Sequence, residues 1–255
     1  MNLNNKTILI TGGTSGIGWA LANVLVAQNN RVLVTGRDPV KLEQAQHQLP
    51  QLTTIQADVS IPAEIDQLFL TLQQKGIVLN VLFNNAGVIE TWDIGKDPLA
   101  SDVIFSKLNT NLAGAVAMTS RFIHQTDADK DNYIINITSE AAIMPVPILP
   151  LYSVSKAGLS VFTQALRAQL KGTRFKVVEI IPPAVETRMT TQDLKNTTKL
   201  TSPAVFAGNM VKQIEAGKLT YAPSGNALVL RFLRRVMPAA GLSLVDRMSR
   251  KQLLG

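Results

Sequence analysis

The segment "YSVSK", residues 152–156, sets a tyrosine four positions ahead of a lysine, with only small or apolar residues between them and no acidic neighbour. On a helix this spacing stacks Tyr152 and Lys156 on one face, within reach of a common ligand. A free phenol has a pKa of about 10, and bringing it to about 7 takes roughly 4 kcal/mol of preferential stabilisation of the phenolate. One ammonium at about 4 Å, in an effective dielectric near 20, supplies about that much. The pair is therefore a usable proton donor and acceptor at neutral pH. Other chemistries are poorly provided for. The chain has no cysteine, which removes disulfides, thiolate ligands and thiol nucleophiles together, and with only His47 and His124 a multi-histidine metal site is not expected.

The elements that would hold such a pair can be read from periodicity. Short β-branched runs (7–11, 31–36, 52–57, 79–84, 133–138 and 175–181) alternate with segments of helical period (16–28, 39–48, 62–75, about 99–126 and 152–170). About seven strands separated by helices indicate an α/β fold: a single Rossmann-type, doubly wound parallel sheet with helices on both faces. Strands covered on two sides explain the near-continuous apolar runs. The 46% hydrophobic and 17% charged composition of the 255 residues is ample for one large core. In such sheets ligands bind outside the carboxyl ends of the strands. The unusual residues all fall on that edge: "TGGTSGIG" after strand 1, "GRD" after strand 2, Asp58 after strand 3, "NNAG" after strand 4, "TSE" after strand 5 and "PPAVET" after strand 6.

In "TGGTSGIG", Gly12, Gly16 and Gly18 occupy a strand-to-helix turn, where missing side chains permit positive φ and let a pyrophosphate approach the helix N-terminus. The spacing is GxxxGxG, and the strand before it and helix after it favour a dinucleotide site over a plain tight turn. Taken with "NNAG", Ser139, "YSVSK" and the loop after strand 6, the chain from about residue 5 to 222 resembles the short-chain dehydrogenase/reductase family.

The resemblance implies roles for individual residues. Ser15 and Ile17 match pyrophosphate-side contacts, Asp58 and Val59 the pair that brackets adenine, and Asn84, Ala86 and Gly87 the turn beside the adenosine ribose. The alternative for "NNAG" is a turn that braces strands 1 and 4. Tyr152 matches the general acid/base, Lys156 the residue that also bonds the nicotinamide ribose, Ser139 the serine that holds the substrate oxygen, and Asn111 the asparagine of a water-linked proton path. Thr187 matches the threonine on the nicotinamide carboxamide, with Val185 giving backbone contacts. Family members that use NAD carry an acidic residue at the end of strand 2, whereas this chain has Gly36 and Arg37, and a guanidinium suits a 2′-phosphate. NADP(H) is the preferred cofactor, with NAD(H) as the alternative; Asp38, directly after Arg37, and Ser15, where many NADP-dependent relatives have a base, weigh the other way. Pro182-Pro183 replaces the family's usual Pro-Gly, which stiffens the nicotinamide loop and removes a donor.

A small-molecule carbonyl or alcohol is the expected substrate. Ile143, Met144, Val146, Ile148, Ile89, Glu90 and Trp92 are candidate contacts for an apolar or amphipathic one, and equally candidates for core or dimer packing. Of the net charge of +7, residues 226–255 contribute +5 from six Lys/Arg and one Asp. With only 5% aromatic residues, not interleaved with the basic ones, a nucleic-acid partner is not expected. We divide the chain into a dinucleotide-binding domain over 1–225 and a basic amphipathic helical tail over 226–255. In the tail, Val229, Phe232, Leu233 and Val236 form one stripe opposite Arg231, Arg234 and Arg235, followed by a break at 238–241 and a second short helix. It would close the substrate pocket, form an oligomer contact or lie on an anionic membrane. A homo-oligomer, dimer or tetramer, follows from the resemblance. The N-terminus lacks a signal-peptide pattern and no apolar run reaches the roughly 18 residues of a membrane span, so a cytoplasmic location is expected. The competing function is a dinucleotide-binding sensor or scaffold acting through its basic tail.

Overall fold

The computed structural model describes residues 1–187 and 200–253. Seven parallel strands form one sheet in the order β3-β2-β1-β4-β5-β6-β7: β1 Thr7–Thr11, β2 Arg31–Gly36, β3 Thr53–Gln56, β4 Val81–Asn84, β5 Asn132–Ile137, β6 Phe175–Ile180 and β7 Thr220–Tyr221. The first six match the runs read from the sequence to within two residues at either end. β7 is only two residues long, too short for a periodicity signal, and extends the sheet beside β6. Strand order reverses between β1 and β4, so the crevice opens above that pair.

Alternation along the central strands fixes which layer each side chain joins. Ile8, Ile10, Val32, Val34, Val81 and Phe83 share one core layer with helix α1 (Gly16–Ala27) and helix α7 (Pro203–Glu215). Leu9, Leu33, Leu82 and Ile134 share the other with α3 (Pro62–Gln74), α5 (Gly114–Gln125) and α6 (Pro150–Gln169). Helix α2 (Pro39–Gln48) follows β2. Both faces of the sheet are covered, and this explains why the strands read as unbroken apolar runs.

Two elements differ from the sequence expectation. The long helical stretch is divided into α4 (Ser101–Leu108), a π-helical turn at Asn109–Ala113 and α5. Such wide turns occur mostly at functional sites, and this one carries Asn111. In the tail, Pro238 opens a helix where a break to 241 was expected: α8 (Gly225–Val236) is followed directly by a sixteen-residue α9 (Pro238–Leu253). Proline is at home in the first turn of a helix, where its missing N–H has no intrahelical partner to lose. The orientation of α8 is also the reverse of a buried apolar stripe. Ala227 and Leu230 join Ile143 and Ile181 in a small separate cluster, and Arg234 donates to the carbonyls of Ala142 (3.0 Å) and Ile143 (2.6 Å). Of the expected stripe, Val229, Phe232 and Val236 point away from the body of the protein, while Leu233 is half-buried against Gly241 of α9.

Candidate active site

The glycine-rich turn is built by backbone conformation. Gly12 and Gly16 have φ of +64° and +54°, values that a residue with a Cβ adopts only under strain. Gly12 N–H donates to the carbonyl of Thr35 (2.8 Å), tying the turn to β2. Ser15 precedes α1 in extended conformation and its hydroxyl makes no capping bond, leaving its side chain to the cleft. Gly18 does something else. A Cβ there would lie 2.3 Å from the Gly12 carbonyl oxygen and 2.5 Å from Asn85 Nδ2, so its role is to let α1 pack against the turn. It does not line the cleft.

A cavity of about 490 Å³ runs along the carboxyl edge of the sheet. Gly12, Ser15, Gly16, Ile17, Arg37, Asp58, Val59, Ala86, Gly87, Val185 and Thr187 all line it, together with Ser139, Tyr152 and Lys156 at its other end. Asn84 is the correction. Its amide donates to Thr119 Oγ1 (2.9 Å) and Asn136 Oδ1 (2.8 Å) in a buried network beneath the cleft. Asn85 borders the cavity instead, with its side-chain amide donating to the carbonyls of Thr11 (2.9 Å) and Gly12 (3.1 Å) beside Gly18. Thr11 Oγ1 accepts from the backbone N–H of Asn85 and Ala86. The "NNAG" turn thus braces β1 against β4 and also presents Ala86 and Gly87 to the cavity.

At the mouth, Asp38 lines the cavity beside Arg37. Its carboxylate caps α2, accepting from the N–H groups of Val40 and Lys41, and pairs with Lys41 Nζ at 2.9 Å. The side-chain bond to Lys41 is the first of several contacts that hold this carboxyl below its usual range. The carboxylate after Arg37 is therefore engaged by its own helix. Lys41 itself lines the cavity beside Arg37. Sequence reading missed it, because a lysine in the first turn of a helix carries no signal beyond a solvated cation.

At the reacting end, Lys156 is buried, 3% exposed, and its ammonium donates to the Ile137 carbonyl at 2.8 Å. Burial pushes its pKa down to about 8, so it stays mainly protonated at neutral pH. Nζ lies 5.8 Å from the centroid of the Tyr152 ring, on the same helix α6 as the spacing predicts. The phenol itself is held above its ordinary value by burial, partly offset by a hydrogen bond from Ser139. Protein groups alone thus do not acidify Tyr152 as the sequence arithmetic requires; desolvation acts against them. Asn111, also buried, accepts from Val88 N–H (2.7 Å) and donates to the Val88 carbonyl (2.9 Å) and Ser155 Oγ (3.2 Å). A Cβ on Gly87 would lie 3.3 Å from Asn111 Oδ1 and 3.6 Å from Lys156 Nζ, which places amide and ammonium around one glycine.

The candidate substrate contacts divide. Ile89 and Val146 line the cavity. Glu90 pairs with Lys107 at 2.7 Å, and Trp92 donates its ring N–H to the Asp97 carbonyl and its backbone N–H to that of Ile148. Ile143 packs beneath α8, and Met144 faces Gly241 of α9. Pro182 and Pro183 both line the cleft. The loop beyond them is pinned by bonds from Glu186 N–H to the Thr201 carbonyl and from Thr201 N–H to the Ala184 carbonyl, 3.0 Å each.

A parallel sheet with a glycine-rich turn, a strand-order reversal and a cleft above it defines a dinucleotide-binding α/β protein. Residues 6–198 match the short chain dehydrogenase family. The chain is 34% identical over 187 residues to the uncharacterized oxidoreductase DltE of Bacillus subtilis (strain 168), covering 73% of this chain and 74% of that one. Among solved structures, a short-chain dehydrogenase from Streptomyces avermitilis superposes with a TM-score of 0.81 at 21% identity, covering 97% of this chain and 98% of that one. One from Burkholderia cenocepacia J2315, in complex with NADP, superposes with a TM-score of 0.80 at 19% identity, covering 96% and 99%. The chain belongs to the short-chain dehydrogenase family of oxidoreductases.

Proposed function

We propose that the protein is an NADP(H)-preferring carbonyl reductase or alcohol dehydrogenase whose catalytic set is Asn111, Ser139, Tyr152 and Lys156. The observation that carries this reading is the convergence of a buried phenol, a hydroxyl and an ammonium at one end of a cleft whose other end is a glycine-rich cradle. The cradle suits a dinucleotide: the two positive-φ glycines open the turn before α1, and Arg37 and Lys41, which line the cavity after β2, are cations that would suit a 2′-phosphate. The Burkholderia relative in complex with NADP supports the same choice. When bound, the nicotinamide supplies or takes the hydride.

The chain's own residues handle the proton and the oxygen. Ser139 Oγ holds the carbonyl or carbinol oxygen against the Tyr152 hydroxyl. Tyr152 gives its proton to that oxygen in reduction and removes one in oxidation. Lys156 favours the phenolate by its charge, and Asn111 keeps the ground between Val88, Ser155 and Lys156 polar. Because burial raises the phenol, the positive charges that converge on it in the complex have more to overcome than Lys156 alone supplies. Val146, Ile89 and Leu149 give the substrate end apolar walls, so an apolar or amphipathic carbonyl compound is the substrate class. We place the protein in the cytoplasm as a dimer or tetramer; exposed Phe105, Val154 and Val161 on α4 and α6 support assembly through that side.

The test is nicotinamide absorbance with a panel of carbonyls and alcohols, comparing the wild type with Tyr152→Phe. We expect turnover with NADPH in the wild type and a loss of about 10³-fold or more in the variant, with NADPH binding kept. Tight NADPH binding with no turnover on any substrate would favour a dinucleotide sensor instead.

A further inference from the structure

Helix α8 presents the wrong face to the protein for a helix that merely completes a core. On a 3.6-residue period Leu228, Phe232, Val236 and Val229 share one continuous arc, and all four are exposed, by 69%, 61%, 57% and 55%. Met237, between the two helices, and Leu244 and Met248 of α9 are exposed as well. The inward arc holds Ala227, Leu230 and Arg234. Arg231 and Arg235, both exposed, flank the apolar arc on one edge, where with Arg234 they also rim a shallow cavity on the body beside Glu179 and Ile181. Within α8 there is no acidic residue, and Asp246 of α9 is already engaged by Arg250 at 2.9 and 3.1 Å.

Several apolar side chains held in water by an ordered helix mark an interaction surface, and the charge around them selects its occupant. A second copy meeting this face through a two-fold axis would bring a second Arg231 and Arg235 to the seam, with no carboxylate in either α8 to pair them. An anionic surface has no such conflict. The two helices are tethered to the body by Arg234 and by the hydrogen bond between Ser224 and Glu140, and no helix among the described residues is long and apolar enough to cross a bilayer. We propose that the outer face of α8, continued by α9, docks the protein on anionic membrane surfaces, with Leu228, Val229, Phe232 and Val236 set among the acyl chains and Arg231 and Arg235 at the headgroups. Arginine stems can lie along the apolar surface while their guanidinium groups reach phosphates. Since Arg234 bonds the carbonyls of Ala142 and Ile143, the docking face backs directly onto the segment that follows Ser139. The proposal does not depend on the reaction assigned to the cleft.

The experiment is co-sedimentation of the full chain with vesicles of neutral phosphatidylcholine, alone or with about 30% anionic lipid. Folding of every variant is checked by thermal melting and NADPH binding, and oligomeric state by light scattering. We expect the wild type to pellet with the anionic vesicles, to be released by high salt, and to stay in solution with the neutral ones. Leu228→Ser/Phe232→Ser/Val236→Ser should lower the partition at least about tenfold, and Arg231→Gln/Arg235→Gln should lower it while removing the salt dependence. Failure of the wild type to pellet at low salt would overturn the proposal. So would a serine variant that pellets as the wild type does, or one in which a wild-type oligomer falls apart, because the face then belongs to a second copy. If the serine variant does not fold, the arginine variant decides alone, and an unchanged partition overturns the idea.

Discussion

The two ends of the cleft are built from different materials. At the β1–β2 end the proposed nucleotide cradle is mostly backbone: glycines at positive φ, helix-turn N–H groups and two cations, Arg37 and Lys41, at its rim. At the β5–α6 end the reacting groups are side chains taken out of water, Lys156 and Asn111 being nearly inaccessible. The contrast separates selectivity from chemistry. Rim charges sit in solvent, are cheaply exchanged and, in the function proposed, would alter which nucleotide is held. Buried groups carry shifted proton affinities, and altering one changes both stability and reactivity.

The largest effect that would sharpen this contrast comes from the buried ammonium. Its folded pKa of about 8 lies below the ordinary 10.5, so between those values the unfolded chain binds more protons and stability rises with pH. Below about pH 8 the burial cost is present in full. Raised by burial, Tyr152 acts with the opposite sign above about pH 10. Denaturant midpoints should therefore show the wild type gaining stability on the order of 3 kcal/mol from pH 7 to 10, a rise absent from Lys156→Met. Parallel pH curves for the two proteins would break the contrast.

A smaller effect is expected at the rim. Arg37→Ala should weaken NADPH relative to NADH by about 10–100-fold, the worth of a charge-assisted hydrogen bond, with little change in melting temperature. If fluorescence titration gave the same preference as the wild type, Lys41 would have to carry the 2′-phosphate alone.

The placement of Tyr152 beside Lys156 was legible in the sequence, since the two are one helical turn apart and their helix could be read from periodicity. The strands were legible for a similar reason, because burial on both faces leaves unbroken apolar runs. What was not legible depends on rotation about an element. At the end of β4, adjacent asparagines point to opposite sides, so Asn84 enters the buried network toward β5 and Asn85 bonds the turn after β1, and no pattern in "NNAG" states which. Gly18 gives the same spacing signal whether a phosphate or a helix approaches it. In α8 the periodicity shows which residues share a face but not which face turns inward; Arg234 found carbonyl partners on the body, and the apolar arc was left outward. Lys41 was hidden because its role arises from where Asp38 starts α2.

The central claim is that the Lys156 cation favours the Tyr152 phenolate during proton transfer, against the burial that resists it. The most direct measurement is the pH dependence of kcat for alcohol oxidation at saturating nucleotide in the wild type and Lys156→Met, on one substrate drawn from the panel. Oxidation should rise with pH as the phenol loses its proton, and removing the cation should shift that rise upward by roughly 2–3 pH units. Identical midpoints in the two proteins, with a pH-dependent step still present, would contradict the account.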